Sequence, residues 1–241
     1  MTGQGNDADF AALLPLRTGG TEPPLFCIHP GFALCWAYGP LMRGLGRDQP
    51  LYGIQARGII GDEPLPETFD ELVDDYLGLV RSIRPHGPYR LLGWSFGGLA
   101  AHAMATRLQQ AGEEVELLAM MDTTLVADPA ILSTPAHARQ LEKEFASVRD
   151  IVPDSDRLLR IVINLNRLRG VFDPDRFTGD LVMFTADQEP ARDVPVAEAW
   201  GPYVTGSVVE HRIDCSHLTM MSARPARAIA GLLATAVRDR V

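Results

Sequence analysis

Between Tyr89 and Ala101 the chain reads Tyr-Arg-Leu-Leu-Gly-Trp-Ser-Phe-Gly-Gly-Leu-Ala-Ala, a mostly apolar run that enters G-x-S-x-G and leaves as an Ala-rich stretch. An apolar run of this length without alternation fits a strand covered on both faces. The Ala-rich continuation is a strong helix former. The predicted boundary between them is therefore one sharp strand-to-helix turn with Ser95 at its apex. Gly93 and Gly97 carry no Cβ, so backbones can pack closely around that corner. A strand that hands over directly to a helix is the unit from which parallel sheets are built.

The rest of the chain repeats the alternation. Strand patterns fall at Leu13–Leu16, Pro24–Ile28, Leu51–Gln55, Tyr89–Trp94, Glu116–Met121, Leu181–Ala186 and Val208–Ile213, with helical patterns near 34–45, 69–84, 97–111 and 224–238. This predicts an α/β fold, a mostly parallel sheet with helices on both faces, and the length fits one domain over 1–241. One connection differs from the others. From Thr123 to Thr178 no strand pattern occurs, far beyond the ~4–6 residues that usually join elements. Two helical stripes run through it, Leu141, Phe145 and Val148 after Thr134-Pro135, then Leu158, Ile161, Val162, Leu165 and Leu168 up to Gly170. Thr134 and Asp154 are the expected N-caps and Gly170 the expected stop. This segment, 123–178, is expected to be a helical lid inserted into the domain.

Bulk properties remove several function classes. With 22 basic against 31 acidic residues the net charge is −9, which disfavours a phosphate backbone as ligand, so no nucleic acid partner is expected. Cys27, Cys35 and Cys215 are too few and too scattered for a metal site or a disulfide framework. The N-terminal MTGQGNDADF lacks a signal-peptide pattern, and no stretch approaches the ~20 apolar residues of a membrane span. The expectation is a cytoplasmic protein with no metal and no membrane partner.

A serine hydroxyl needs a base to take its proton, and the base needs an orienting carboxylate. In the α/β-hydrolase fold, whose nucleophile sits on such a strand-to-helix turn, the chain order is serine, acid, histidine. His29 and His86 precede Ser95, His102 lies in the following helix, His137 in the insertion, and His211 inside a strand pattern. His217 follows the last strand in a loop, where a base is required. Two residues fit the acid: Asp122 ends the strand after the nucleophile helix, and Asp187 ends the next one. Asp187 is the generic position of the fold, and sequence order leaves the two level. Asp214, three residues from His217, reads as a loop cap. An oxyanion hole needs two N–H donors, one from the residue after the nucleophile, Phe96, and one from the loop His29-Pro30-Gly31-Phe32, at Gly31 or its neighbour Phe32.

The segments PLFCIHPGFALCWAYGPLMRGL, GPYRLLGWSFGGLAAHAMATRLQQAGEEV, LLAMMDT and IDCSHLTMM resemble the terminal (type I) thioesterase domains of non-ribosomal peptide synthetases, from about Leu14 to the C-terminus. GWSFGG is closer to that group than to free-standing editing thioesterases. The resemblance implies a serine thioesterase. Ser95 would take an acyl or peptidyl chain from the phosphopantetheine arm of a carrier-protein partner, with no cofactor of its own, and release it to water or to an internal amine or hydroxyl. It also implies that the acid is Asp122, with oxyanion donors at Phe96 and Gly31. Ser216 departs from the pattern, standing where many relatives carry an acidic residue. No carrier domain is recognisable, which implies an excised terminal domain or a free-standing relative. The competing readings are an editing thioesterase or carboxylesterase of the same fold and, more remotely, a hydrolase-fold binding module without catalysis.

Overall fold

The computed structural model describes residues 7–126, 128–146, 149–152, 154–189 and 194–238. Seven strands form one sheet: β1 (Leu13–Arg17), β2 (Leu25–Ile28), β3 (Leu51–Ile54), β4 (Tyr89–Trp94), β5 (Val115–Met121), β6 (Leu181–Ala186) and β7 (Val208–Ile213). Their order is β1-β3-β2-β4-β5-β6-β7. Only β1 runs antiparallel, against β3; every other pairing is parallel. This is the α/β-hydrolase arrangement expected from the sequence.

Strand position follows composition. All six residues of β4 are buried, as an unbroken apolar run at the middle of a sheet covered on both faces requires. At the edge, β7 exposes Glu210 and Arg212, the charged dress that an unpaired edge needs. Arg90 of β4 is buried, yet it pairs with Glu116 at 2.8 Å and Glu22 at 3.1 Å at the N-terminal end of the strands, so the buried charge is compensated.

Helix α1 (Phe69–Ile83) starts where Thr68 Oγ1 accepts the Glu71 N–H at 3.1 Å, and buries Leu72, Val73, Tyr76, Leu77 and Val80. Helix α2 (Phe96–Gln110) follows β4 and lies across β2, β4 and β5. Its Gly and Ala residues let it approach the sheet, and its burial extends around most of its circumference. The C-terminal α6 (Ala223–Arg238) buries Ala226, Ile229, Ala230 and Leu233. The helix expected near 34–45 is instead a run of 3₁₀ turns, Trp36–Arg43; Pro40 removes an N–H donor in mid-run, which disfavours continuous α-helix. A short helix α5 (Val196–Trp200) was not anticipated.

Between β5 and β6 the chain forms α3 (Pro135–Ala146) and α4 (Ser155–Gly170), and the described residues of this segment contain no strand. Both expected caps are present: Thr134 Oγ1 accepts the His137 N–H at 3.2 Å and Asp154 Oδ1 accepts the Arg157 N–H at 2.9 Å. Leu158, Ile161, Val162, Leu165 and Leu168 form the buried stripe of α4. In α3, Leu141 and Phe145 pack against the core; Val148 lies outside the described residues.

Candidate active site

The turn between β4 and α2 holds Ser95 at φ 56° and ψ −118°. For a residue with a Cβ such a backbone costs on the order of 1–3 kcal/mol, and the surroundings impose it. The Ser95 N–H donates to the Met121 carbonyl at 2.8 Å, and the Gly98 N–H donates to the Ser95 carbonyl at 3.0 Å. The glycines around it are sterically required. A Cβ on Gly93 would lie 2.0 Å from the Gly97 carbonyl oxygen, one on Gly97 2.3 Å from the Ile28 carbonyl oxygen, and one on Gly98 1.9 Å from Thr123 Oγ1. The motif is therefore a packing solution as well as a chemical one.

Asp122 is the first residue beyond β5, also at positive φ, 43°. Its backbone N–H donates to the Phe184 carbonyl at 2.7 Å, and Oδ1 accepts the Ala186 N–H at 3.4 Å. Its side chain is wholly buried, with Oδ2 2.7 Å from His217 Nδ1. A carboxylate offers only acceptors, so His217 Nδ1–H donates to Asp122 Oδ2. His217 begins a 3₁₀ turn, His217–Thr219, after β7. Its N–H donates to Glu189 Oε1 at 2.5 Å, and Ser216 and Thr219 cap the turn reciprocally. The Trp94 ring, one residue before Ser95, lies 5.8 Å from the imidazole between centroids. Ser95, Asp122 and His217 all follow the C-terminal ends of parallel strands, where sites in open α/β sheets form.

The two candidate acids differ in their surroundings. Asp187 turns to the surface and accepts from Arg212 Nε at 2.8 Å; it is Asp122 that meets the imidazole. Asp214 accepts from Gln188 Nε2 at 2.9 Å, a loop contact. His211 stacks on Phe184 in the edge strand, while His102 is buried against Trp200 with Nε2 3.2 Å from the Tyr203 carbonyl oxygen.

The loop after β2 is more organised than a Pro-Gly turn requires. His29 is fully buried, and burial pushes its pKa down to about 4, so the ring is neutral. Its Nδ1 lies 2.7 Å from the Pro30 carbonyl oxygen, which can only accept, so Nδ1–H donates and Nε2 accepts from the Tyr76 hydroxyl. The ring stacks on Phe96 at 5.7 Å. The left-handed residue of this loop is Ala33, at φ 73°, whose N–H donates to the Pro30 carbonyl at 2.9 Å. Gly31, Ser95 and Phe96 share a cavity of about 20 Å³ with Leu141 of α3 and Val162, Leu165, Asn166 and Arg169 of α4. Phe96 opens α2, so its N–H has no intrahelical acceptor. Gly31 and Phe96 are thereby placed on one cavity with the serine.

Three supporting residues escaped the sequence reading. Trp200 of α5 donates its Nε1–H to the Thr123 carbonyl at 2.8 Å, fixing the turn that carries Asp122; a buried indole N–H usually finds such a partner, but the sequence does not say which. Glu189 and Tyr76 act through contacts between remote segments, for which the sequence holds no signal.

With this geometry in place, comparison with known proteins is informative. A family model described as a thioesterase domain matches residues 23–236. Malpibaldin synthetase of Mortierella alpina is 39% identical over 233 residues, covering 90% of this chain and 4% of that protein. A dimodular nonribosomal peptide synthase of Bacillus subtilis (strain 168) is 35% identical over 257 residues, covering 94% of this chain and 11% of that protein. The chain therefore spans a small fraction of the curated relatives it matches. Among solved structures, the NocB thioesterase domain in covalent complex with a fluorophosphonate nocardicin G analog superposes with a TM-score of 0.73 at 24% identity, covering 92% of this chain and 95% of that one.

Proposed function

This chain belongs to the thioesterase domain family, and on that premise we propose that it releases an acyl or peptidyl chain from the phosphopantetheine thioester of a carrier-protein partner through an acyl-enzyme on Ser95. The observation that carries the reading is the pairing of buried Asp122 with half-buried His217, 2.7 Å apart, beside the strained serine turn. In this mechanism His217 Nε2 takes the Ser95 proton as Oγ attacks the thioester carbonyl. The N–H groups of Phe96 and Gly31 receive the developing oxyanion. The C–S bond breaks, the pantetheine thiol leaves with a proton from His217, and Asp122 holds the imidazole in its productive tautomer. Water or an internal amine or hydroxyl then resolves the ester, giving hydrolysis or macrocyclisation. The multidomain synthetases among the relatives support the carrier partner, and the pantetheine enters as part of the substrate, so the protein needs no cofactor of its own.

The 123–178 segment covers this site in our reading. Leu141, Val162 and Leu165 close the cavity above Ser95, and a cover that excludes water favours an internal nucleophile over hydrolysis. The test is a panel of acyl and peptidyl pantetheine thioesters with products identified by mass spectrometry. The reading expects thioester turnover with selectivity among chains; turnover of simple oxoesters with none of the thioesters would support a carboxylesterase instead.

A further inference from the structure

A second, larger cavity adjoins the site on its His217 side. It measures about 410 Å³, and its walls include Phe32, Leu34, Trp36, Trp94, Leu218 and Met221. Three of these residues neighbour the proposed machinery in sequence. Phe32 follows Gly31, Trp94 precedes Ser95, and Leu218 follows His217. The rings of Phe32 and Trp94 meet edge-on at 5.6 Å, and Trp94 in turn lies 5.8 Å from the imidazole. Among the described residues no charged side chain lines this space. Leu218 is 41% exposed beside it.

We infer that this pocket seats the acceptor that resolves the Ser95 acyl-enzyme, an amine or hydroxyl carried on a residue with a large apolar side chain. The inference rests on the acyl-enzyme reading and goes beyond it by naming the class of acceptor. Any group that exchanges a proton with His217 Nε2 must approach on the imidazole side, which restricts the occupant to the leaving thiol's arm or the incoming nucleophile. Water needs no apolar pocket of this size. The pantetheine arm carries two amides, and a lining whose one side-chain hydroxyl is that of Ser222 leaves most of their hydrogen-bonding groups poorly satisfied. An apolar residue gains from those walls along its whole side chain. The cavity of about 20 Å³ that Ser95 itself lines holds little more than one water, too little for an apolar side chain. In the step itself the acceptor nitrogen or oxygen bonds to the acyl carbon and the C–Oγ bond of Ser95 breaks. The acceptor proton passes to His217 Nε2 and from there to Ser95 Oγ, with no change of oxidation state.

The experiment uses the thioester turned over fastest in the panel above, together with the p-nitrophenyl ester of the same acyl group. Phenylalaninamide, leucinamide or glycinamide is added in trans, and the ratio of amide product to free acid is read by mass spectrometry. The ratio should saturate with phenylalaninamide and leucinamide and exceed that of glycinamide by about tenfold or more, the scale on which apolar pockets discriminate. Trp36→Ala and Leu218→Glu should each bring it down to the glycinamide value. Because the ratio compares two fates of one acyl-enzyme, it is insensitive to losses in acylation. Equal, unsaturable ratios for the three amines would overturn the proposal. So would a Leu218→Glu variant that raised KM for the pantetheine thioester and left the p-nitrophenyl ester unaffected, since the pocket would then hold the leaving arm. Consumption of neither ester, with no acyl adduct on Ser95, would refute the acyl-enzyme reading itself.

Discussion

Replacing Asp122 by Asn isolates what the buried carboxylate does. Asp122 accepts from two sides at once, the Ala186 N–H on Oδ1 and His217 Nδ1–H on Oδ2. Asn has the same shape but one acceptor and one NH₂. If its oxygen keeps the Ala186 N–H, its NH₂ faces Nδ1 and forces the imidazole proton onto Nε2, where no lone pair remains for the serine proton. The side chain is fully buried, so water cannot substitute for the lost acceptor. The expected loss in kcat is about 10⁴, the scale seen when a serine triad is locked in the wrong tautomer. Asp187→Asn should be mild, because it loses only a surface pairing with Arg212, worth ~0–1 kcal/mol of stability. The assay is kcat on the best pantetheine thioester for both variants, with thermal melts to establish that each is folded. A folded Asp122→Asn enzyme within tenfold of the parent, or a collapse confined to Asp187→Asn, would refute the assignment.

Two further expectations concern stability and motion. Burial pushes His29 and His102 down to about 4, below the ordinary value near 6.5, so between these pH values the unfolded chain binds protons that the folded chain refuses. Stability is therefore unaffected above about pH 7 and lost as pH falls from 6.5 toward 4, by about 3 kcal/mol per histidine at ~1.4 kcal/mol per pH unit; calorimetry showing a flat Tm from pH 7 to 4.5 would contradict this. Helix α4 is tied to the chain before α1 by Arg157 to Asp62 at 2.8 Å, Asn164 to the Pro66 carbonyl at 3.0 Å and Arg167 to the Glu67 carbonyl at 2.7 Å. Helix α3 reaches the core through Leu141 and Phe145, so its amides should exchange with deuterium at least about tenfold faster than those of α4, and equal protection would mean that the cover moves as one body.

The sheet was legible because burial and composition coincide: β4, β6 and β7 run between the residues that the apolar patterns mark, and the G-x-S-x-G turn is dictated by local sterics. The positions of Ser95 at the turn after β4 and of His217 in the loop after β7 were legible for the same reason, since strand ends and chain order place them. The choice between Asp122 and Asp187 was not available from order alone. Both end parallel strands, and what separates them is tertiary: Arg212 on the neighbouring β7 draws Asp187 outward, while the Trp200 bond to the Thr123 carbonyl supports the buried turn at Asp122. His29 reads as an unremarkable histidine in sequence because its meaning lies in Tyr76, on a different helix. The 34–45 stretch was misread because apolar spacing outweighed Pro40.

Peptide mapping after treatment with a phosphonate probe asks whether Ser95 is the covalent nucleophile. A single stoichiometric adduct on Ser95 is expected, absent in a folded Ser95→Ala variant whose thioester turnover has fallen by about 10⁶. An adduct mapped to another residue, or a Ser95→Ala enzyme that retains a large share of its turnover, would contradict it.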